Sequence, residues 1–230
     1  MKQASVAVAG FRGGGGSALA AGALMGVCVV VFGLLGGCQS AAFVAYAVAG
    51  DNPKVKVEAE YEGLEGQRVA VLVNADPALL YRQPNAQLEV STAVSRAIAA
   101  NVEGVTVIDP ADLVAFQQRN IYWSTATYGR LAKRLNVSRI VMIELREYRL
   151  HDPGNTVMYR GVASARVEVA EADGETPDTP VYATEVAVAY PPERAEGVPN
   201  ANPTTIKKGM LDLFTLAAAG KFYDHKEPRE

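Results

Sequence analysis

The chain has 230 residues, a formal charge of −3, 2 histidines and 2 cysteines, and 49% of its side chains are hydrophobic. That balance excludes a nucleic-acid binder, which would carry a basic excess. A length of this order suits one domain with a sizeable core rather than two.

The first informative stretch is an apolar run from Leu24 to Ser40 that closes on Leu35-Gly36-Gly37-Cys38. An apolar segment behind a sparsely basic start (Lys2, Arg12) and ahead of small residues reads as an export signal. Residues before a cut must be small to lie in a protease groove, as Gly36 and Gly37 are, and a thiol supplies the nucleophile for thioether formation. The stretch resembles the lipobox of bacterial lipoproteins. That resemblance implies cleavage before Cys38, a diacylglyceryl group on its thiol, a third acyl chain on the freed amine, and a chain held to a membrane by lipid. It places the protein in the cell envelope facing the periplasm, with the outer membrane favoured because Gln39 rather than aspartate follows the cysteine. Cys28, preceded by Met-Gly-Val, is the second-ranked cleavage site. The alternative is an uncleaved anchor over 17–37, about long enough for a bilayer core of roughly 30 Å; glycines at 10, 13–16, 22 and 26 argue against a stable helix there. Loss of residues 1–37 removes two basic residues and no acid, so the formal charge moves from −3 to −5. Cys38 is then the only thiol, which excludes an intramolecular disulfide and a Cys-ligated zinc site.

Residues 38–66 read as a tether, broken at Asp51-Asn52-Pro53, with a short edge strand beginning at Lys54. Val69 to Val73 is a continuous apolar run bounded by turns, which suits a strand buried on both faces. Pro77 and Pro84 bracket an irregular connection. Asn85 to Asn101 carries apolar residues at helical spacing, with Val94 and Ile98 facing the strand. Gly104 ends that segment, Val105 to Ile108 is the next strand, and Asp109-Pro110 is a strong helix start: Asp109 caps and Pro110 occupies the first turn, where a missing N–H costs nothing. This helix runs to Arg119. Thr125 or Thr127 caps a third helix through Leu135, and Asn136 suits its left-handed end. Ser138 to Leu150 is a strand that becomes half-exposed, Val157 to Ala172 and Val181 to Tyr190 form a long antiparallel hairpin, and Pro191 to Pro203 is a loop without secondary structure. Thr204 or Thr205 caps a last helix with Ile206, Met210, Leu213, Phe214 and Ala217 inward, ended by Gly220.

The predicted architecture is therefore an α/β sandwich with a mixed sheet in βαβααβββα order. Residues 67–223 form a single α/β domain and 224–230 a polar tail. At the level of pattern, the Val69–Leu72 strand, the Val105–Pro110 junction and the Leu131–Leu145 helix-to-strand segment resemble small bacterial envelope lipoproteins. This group includes the curli-secretion lipoprotein, the penicillin-binding-protein activators and the amino-terminal domain of the Tol system's periplasmic protein. The group's helix ending, Leu-Gly-Val/Ala-Asp, is here Leu135-Asn136-Val137-Ser138, a departure at two positions. The resemblance implies a non-catalytic scaffold, assembly factor or regulator that works through an envelope protein partner or through self-association.

No catalytic motif is present. His151 sits in a Pro-Gly turn and His225 in the polar tail; neither the His151/Asp152 pair nor the Asp224/His225 pair has a third ligand at helical spacing, and no metal or cofactor is expected. The acids at Glu58, Glu60, Glu62 and Glu65 and at Glu168, Glu171, Asp173 and Glu175 read as solvated strand edges that discourage aggregation; the alternative is that strand alternation aligns Glu58, Glu60 and Glu62 on one face to bind a cation. A periplasmic small-ligand binder or an enzyme of another type is the alternative function. The candidate partner surface is Asn120 to Tyr128 together with the Pro191–Pro203 loop. It puts Tyr122, Trp123 and Tyr128 within a few residues, and aromatic anchors are typical of binding hot spots. The competing reading is that these rings fold back and fill the space under two helices.

Overall fold

A computed structural model describes residues 54–194 and 196–228. The signal, Cys28, the lipobox residues Leu35, Gly36, Gly37 and Cys38, and the tether up to Pro53 lie outside the described residues. The elements are β1 (Lys54–Val57), β2 (Arg68–Ala75), α1 (Pro77–Arg82), α2 (Ala86–Asn101), β3 (Thr106–Val107), α3 (Pro110–Arg119), a 3-10 turn at Trp123–Thr125, and α4 (Tyr128–Leu135). There follow β4 (Arg139–Arg149), β5 (Met158–Tyr159), β6 (Gly161–Glu171), β7 (Tyr182–Tyr190), β8 (Val198–Pro199), α5 (Pro203–Ala219) and β9 (His225–Pro228). Among the described residues no helix is long and apolar enough to cross a membrane.

The fold is α/β with a mixed five-stranded sheet in the order β3-β2-β4-β6-β7. Strand β2 runs parallel to both β3 and β4, and β4, β6 and β7 alternate in direction. Because successive side chains of a strand point to opposite faces, the apolar run of β2 feeds two cores. Val69, Val71 and Val73 pack in one cluster with Val90, Val94 and Ile98 of α2 and Met210, Phe214 and Ala218 of α5. Ala70 and Leu72 pack in the other with Leu113 of α3, Leu131 and Ala132 of α4, and Trp123. The chain leaves β2 for β3 on one side and then crosses back past β2 to β4 on the other. Right-handed crossovers in opposite directions put their helices on opposite faces, as found here.

Strand β3 is only two residues long, so most of that edge of β2 would expose carbonyls inside the protein. Thr106 and Ile108 N–H groups take the Gln67 and Val69 oxygens at 2.8 and 2.9 Å. Beyond β3 the work passes to side chains: Ser91 Oγ donates to Val71 O at 2.9 Å, and Gln87 Nε2 and Gln117 Nε2 each donate to Val73 O at 2.9 Å. A buried carbonyl left unbonded is costly, which accounts for the buried Ser91 and Gln117.

Asp109 caps α3 as expected: Ala111 N–H donates to its carboxylate at 2.8 Å, and Asn136 is left-handed at φ 52. Other elements differ from the sequence reading, beginning with the expected Val157–Ala172 strand, which is split into β5 and β6 in separate sheets. The Pro77–Pro84 connection contains α1, which starts on Asp76-Pro77 by the same device, Ala78 N–H donating to Asp76 at 2.7 Å. The final helix is capped by Asn202 rather than Thr204 or Thr205, with Thr204 N–H donating to Asn202 Oδ1 at 2.9 Å and Pro203 in the first turn. An Asx-Pro pair therefore opens α1, α3 and α5 alike, since the side-chain acceptor satisfies an orphan N–H and proline needs none. The Pro191–Pro203 segment contains β8, which pairs with β5. The polar tail contains β9, which pairs with β1; Asp224 ties them, accepting from Ala59 N–H at 3.0 Å and from Lys56 Nζ at 2.7 Å. Both pairings join segments far apart in sequence and leave no local periodic signal.

Candidate functional site

The turn between α3 and α4 is built by local hydrogen bonds. Asn120 ends α3, its Nδ2 donating to Phe116 O at 2.7 Å, and its own carbonyl accepts from Trp123 N–H at 2.7 Å. Thr125 Oγ1 donates to Tyr122 O at 2.9 Å. So tight a turn sends consecutive side chains in different directions, and the three aromatics read from the sequence are separated accordingly. Trp123 is 7% exposed and packs in the α3–α4 core, whereas Tyr122 is 75% exposed and its neighbour Ile121 74%. Tyr128 is half-buried, and its hydroxyl donates to Glu168 Oε2 at 2.6 Å on β6. Burial first, and then that hydrogen bond, raise its phenol pKa above the ordinary value. Glu168 is itself buried and accepts from Arg166 Nε at 2.6 Å.

The start of α4 is fixed from outside the helix. Thr127 occupies the capping position, but its side chain makes no capping bond. Instead Gly129 N–H donates to Asp178 Oδ1 at 2.8 Å, across from the β6–β7 connection. A Cβ on Gly129 would sit 3.0 Å from that oxygen and 3.4 Å from Pro177, so glycine permits the approach. The Gly129 hydrogen bond, then Thr127, hold the Asp178 pKa below the ordinary carboxylate value, with Arg130 and Lys133 adding to the effect.

Trp123 and Ala126 form the common wall of two concavities. On one side is a groove of about 380 Å³, to which Arg119, Asn120, Ile121 and Tyr122 contribute from the end of α3 and the turn, and Arg130 and Arg134 from α4. No acid lines it, and none of its three arginines makes an ion pair among the described residues. Arg119 Nε donates to Ala115 O of its own helix at 3.1 Å. On the other side is a smaller cleft of about 210 Å³, lined by Asn74, Thr127, Tyr128, Met142, Glu144 and Asp178 among others. It lies on the α3–α4 face of the sheet near the carboxyl end of β2, where Asn74 stands opposite Glu144 of β4. The turn thus stands between a cationic groove and an acidic cleft.

The remaining sequence candidates lie elsewhere. Among the described residues, the Pro191–Pro203 segment lines neither concavity. His151 Nδ1 lies 3.1 Å from Met158 O, its ring stacked obliquely on Tyr159 at 4.2 Å. His225 Nδ1 lies 3.1 Å from Tyr223 O. Glu60 accepts from Lys221 Nζ at 2.5 Å and from the Tyr182 hydroxyl at 2.6 Å, contacts that hold its pKa below the usual carboxylate value. Among the described residues no group of three or more His, Cys, Asp and Glu could hold a metal ion. The arginine set was missed in sequence because Arg119 lies 11 positions from Arg130; the i, i+4 spacing of Arg130 and Arg134 was its only local trace.

No protein-family pattern and no curated protein sequence matches the chain. It is similar to the solved structure of the PelC dodecamer from Paraburkholderia phytofirmans at 11% identity, covering 72% of this chain and 97% of that one with a TM-score of 0.43. It is similar to lipoprotein GNA1162 from Neisseria meningitidis at 16% identity, covering 63% and 91% with a TM-score of 0.40. It is also similar to the LpoB C-terminal domain from Salmonella enterica at 13% identity, covering 54% and 83% with a TM-score of 0.32. The solved structures to which this chain is similar therefore include bacterial lipoproteins.

Proposed function

We propose that this chain is a lipid-anchored cell-envelope protein that acts by protein contact rather than catalysis, as a scaffold, assembly factor or regulator, and that the 120–126 turn is its partner surface. In this reading residues 1–37 are a removed signal, Cys38 carries the lipid, 38–66 form the tether, and 67–223 the working domain. The observation that supports it is the pair Ile121 and Tyr122, left about three-quarters exposed on a turn whose next residue, Trp123, anchors it in the core. A rigidly held, outward apolar pair has an ordering cost already met by folding, which is what a binding surface needs. The anchor rests on Leu35-Gly36-Gly37-Cys38 at the end of the apolar run.

Two measurements test the two halves. A clickable fatty acid should label the wild type and not Cys38→Ala; equal labelling removes the anchor. A photo-crosslinking phenylalanine analogue placed at Tyr122 should form a discrete protein adduct in cells, lost when Ile121 is also changed to Asp. The absence of any adduct, with the chain folded and present, removes the interface. The acidic cleft favours a second reading, in which the protein binds a small cationic ligand. Trp123 is the chain's one tryptophan and lines the cleft, so its emission should shift on titration with amines or guanidinium compounds; an unchanged spectrum rejects that reading.

A further inference from the structure

Resting on the interface reading, we infer that the groove takes an extended acidic segment of a partner protein, carboxylates against Arg119, Arg130 and Arg134 and apolar side chains against Ile121 and Tyr122. Three features point to that chemistry. First, the groove is lined by three guanidinium groups and no acid, in a chain whose formal charge is −3. Positive charge concentrated without an ion pair among the described residues, on a net acidic protein, favours an acidic occupant and steers its approach. The guanidinium fork suits carboxylates, which it can hold through two parallel hydrogen bonds.

Second, the spacings agree. Arg130 and Arg134 lie one turn apart on α4, about 6 Å along the axis at ~1.5 Å per residue. Carboxylates at alternate positions of an extended chain stand about 6.6 Å apart at ~3.3 Å per residue and point the same way. The intervening side chains point the other way. The helix supplies the arginines and the turn supplies Ile121 and Tyr122, so an acid–apolar–acid pattern offers each lining group its match. Third, the site is concave, with about 380 Å³ of free space. A side chain can enter such a space and meet both the arginines and the apolar groups Ile121 and Tyr122, whereas the headgroup plane of a bilayer lies flat across its mouth, which favours a protein segment over an anionic membrane.

The test uses the full chain purified in detergent and a fluorescein-labelled peptide with the core Glu-Leu-Glu-Phe-Glu. Its control carries Gln at each Glu. Fluorescence anisotropy should show binding of the acidic peptide at least tenfold tighter than of the control. The difference should shrink several-fold between 50 and 300 mM salt, as expected of screened surface charges. The exposed double substitution Arg130→Gln/Arg134→Gln should abolish it with an unchanged circular dichroism spectrum, and Arg130→Lys/Arg134→Lys should restore part of it. Equal affinity for the two peptides, or full affinity in the Gln variant, overturns the inference. So does Arg130/Arg134-dependent binding of Cys38→Ala to vesicles of phosphatidylethanolamine and phosphatidylglycerol with no binding of the peptide. The Tyr122 crosslink separates the two levels. If the acidic peptide fails to bind the wild type while the Tyr122 adduct forms there and persists in the Arg130→Gln/Arg134→Gln variant, the partner is not acidic but the interface stands. If the wild type forms no adduct, both fall.

Discussion

Replacing Trp123 by alanine probes the hinge of the whole site. The side chain is 7% exposed and packs among Leu113, Leu131 and Met142, where α3, α4 and the sheet meet. A tryptophan removes about 150–250 Å² from water on burial, and at ~25 cal/mol per Å² this corresponds to roughly 4–6 kcal/mol, part of which alanine keeps. The expected loss is therefore about 3–5 kcal/mol, the range measured for truncation of large buried side chains, and a large fraction of the ~5–15 kcal/mol that typically holds a domain together. Urea unfolding followed by far-ultraviolet circular dichroism measures it without relying on the deleted fluorophore. Tyr122→Ala, one position away and 75% exposed, should cost less than about 0.5 kcal/mol. A Trp123→Ala loss under about 1 kcal/mol, or equal losses for the two variants, would refute the assignment of one side chain to the core and its neighbour to the surface.

Asp109→Ala removes the α3 cap, a 2.8 Å bond from Ala111 N–H, and should lower stability by about 1 kcal/mol, read as a lower thermal midpoint. Ser91→Ala leaves the Val71 carbonyl without its 2.9 Å donor on the inner edge of β2 and should cost about 1–3 kcal/mol in a denaturant titration, although the substitution removes a polar atom from a buried place. Tyr148 is 4% exposed and donates to Glu89 Oε2 at 2.6 Å; burial, then that bond, raise its phenol pKa above the ordinary value. A raised folded pKa gives stability that is fully present below the ordinary phenol value of about 10 and is lost as pH rises above it. Tyr148→Phe should therefore make the alkaline fall in unfolding free energy shallower by up to about 1.4 kcal/mol per pH unit above pH ~10; an unchanged slope would mean that this phenol ionises freely in the folded chain.

What the sequence by itself determined was local. The run Val69–Val73 suits a doubly buried strand, because it is short, rich in β-branched residues and bounded by turns, and no polar position interrupts it to face water. Asp109-Pro110 announced a helix start and Asn136 a left-handed end, since capping and positive φ depend on a few adjacent atoms. The β6–β7 hairpin followed from alternation across a turn. The same local logic covered Asp76-Pro77 and Asn202-Pro203 but was masked there, by two flanking prolines in the first case and by threonines that cap equally well in the second. Tertiary structure alone decided the rest. The pairing of β1 with β9 and of β5 with β8, and the capping of α4 by Asp178, join residues far apart in the chain. Whether an aromatic between two helices faces inward or outward depends on the direction of a single turn, which sent Trp123 to the core and Tyr122 to water. The arginine groove, with no acid in its lining, exists only because the end of α3 and one face of α4 converge, and charge in a sequence carries no address until the chain has folded.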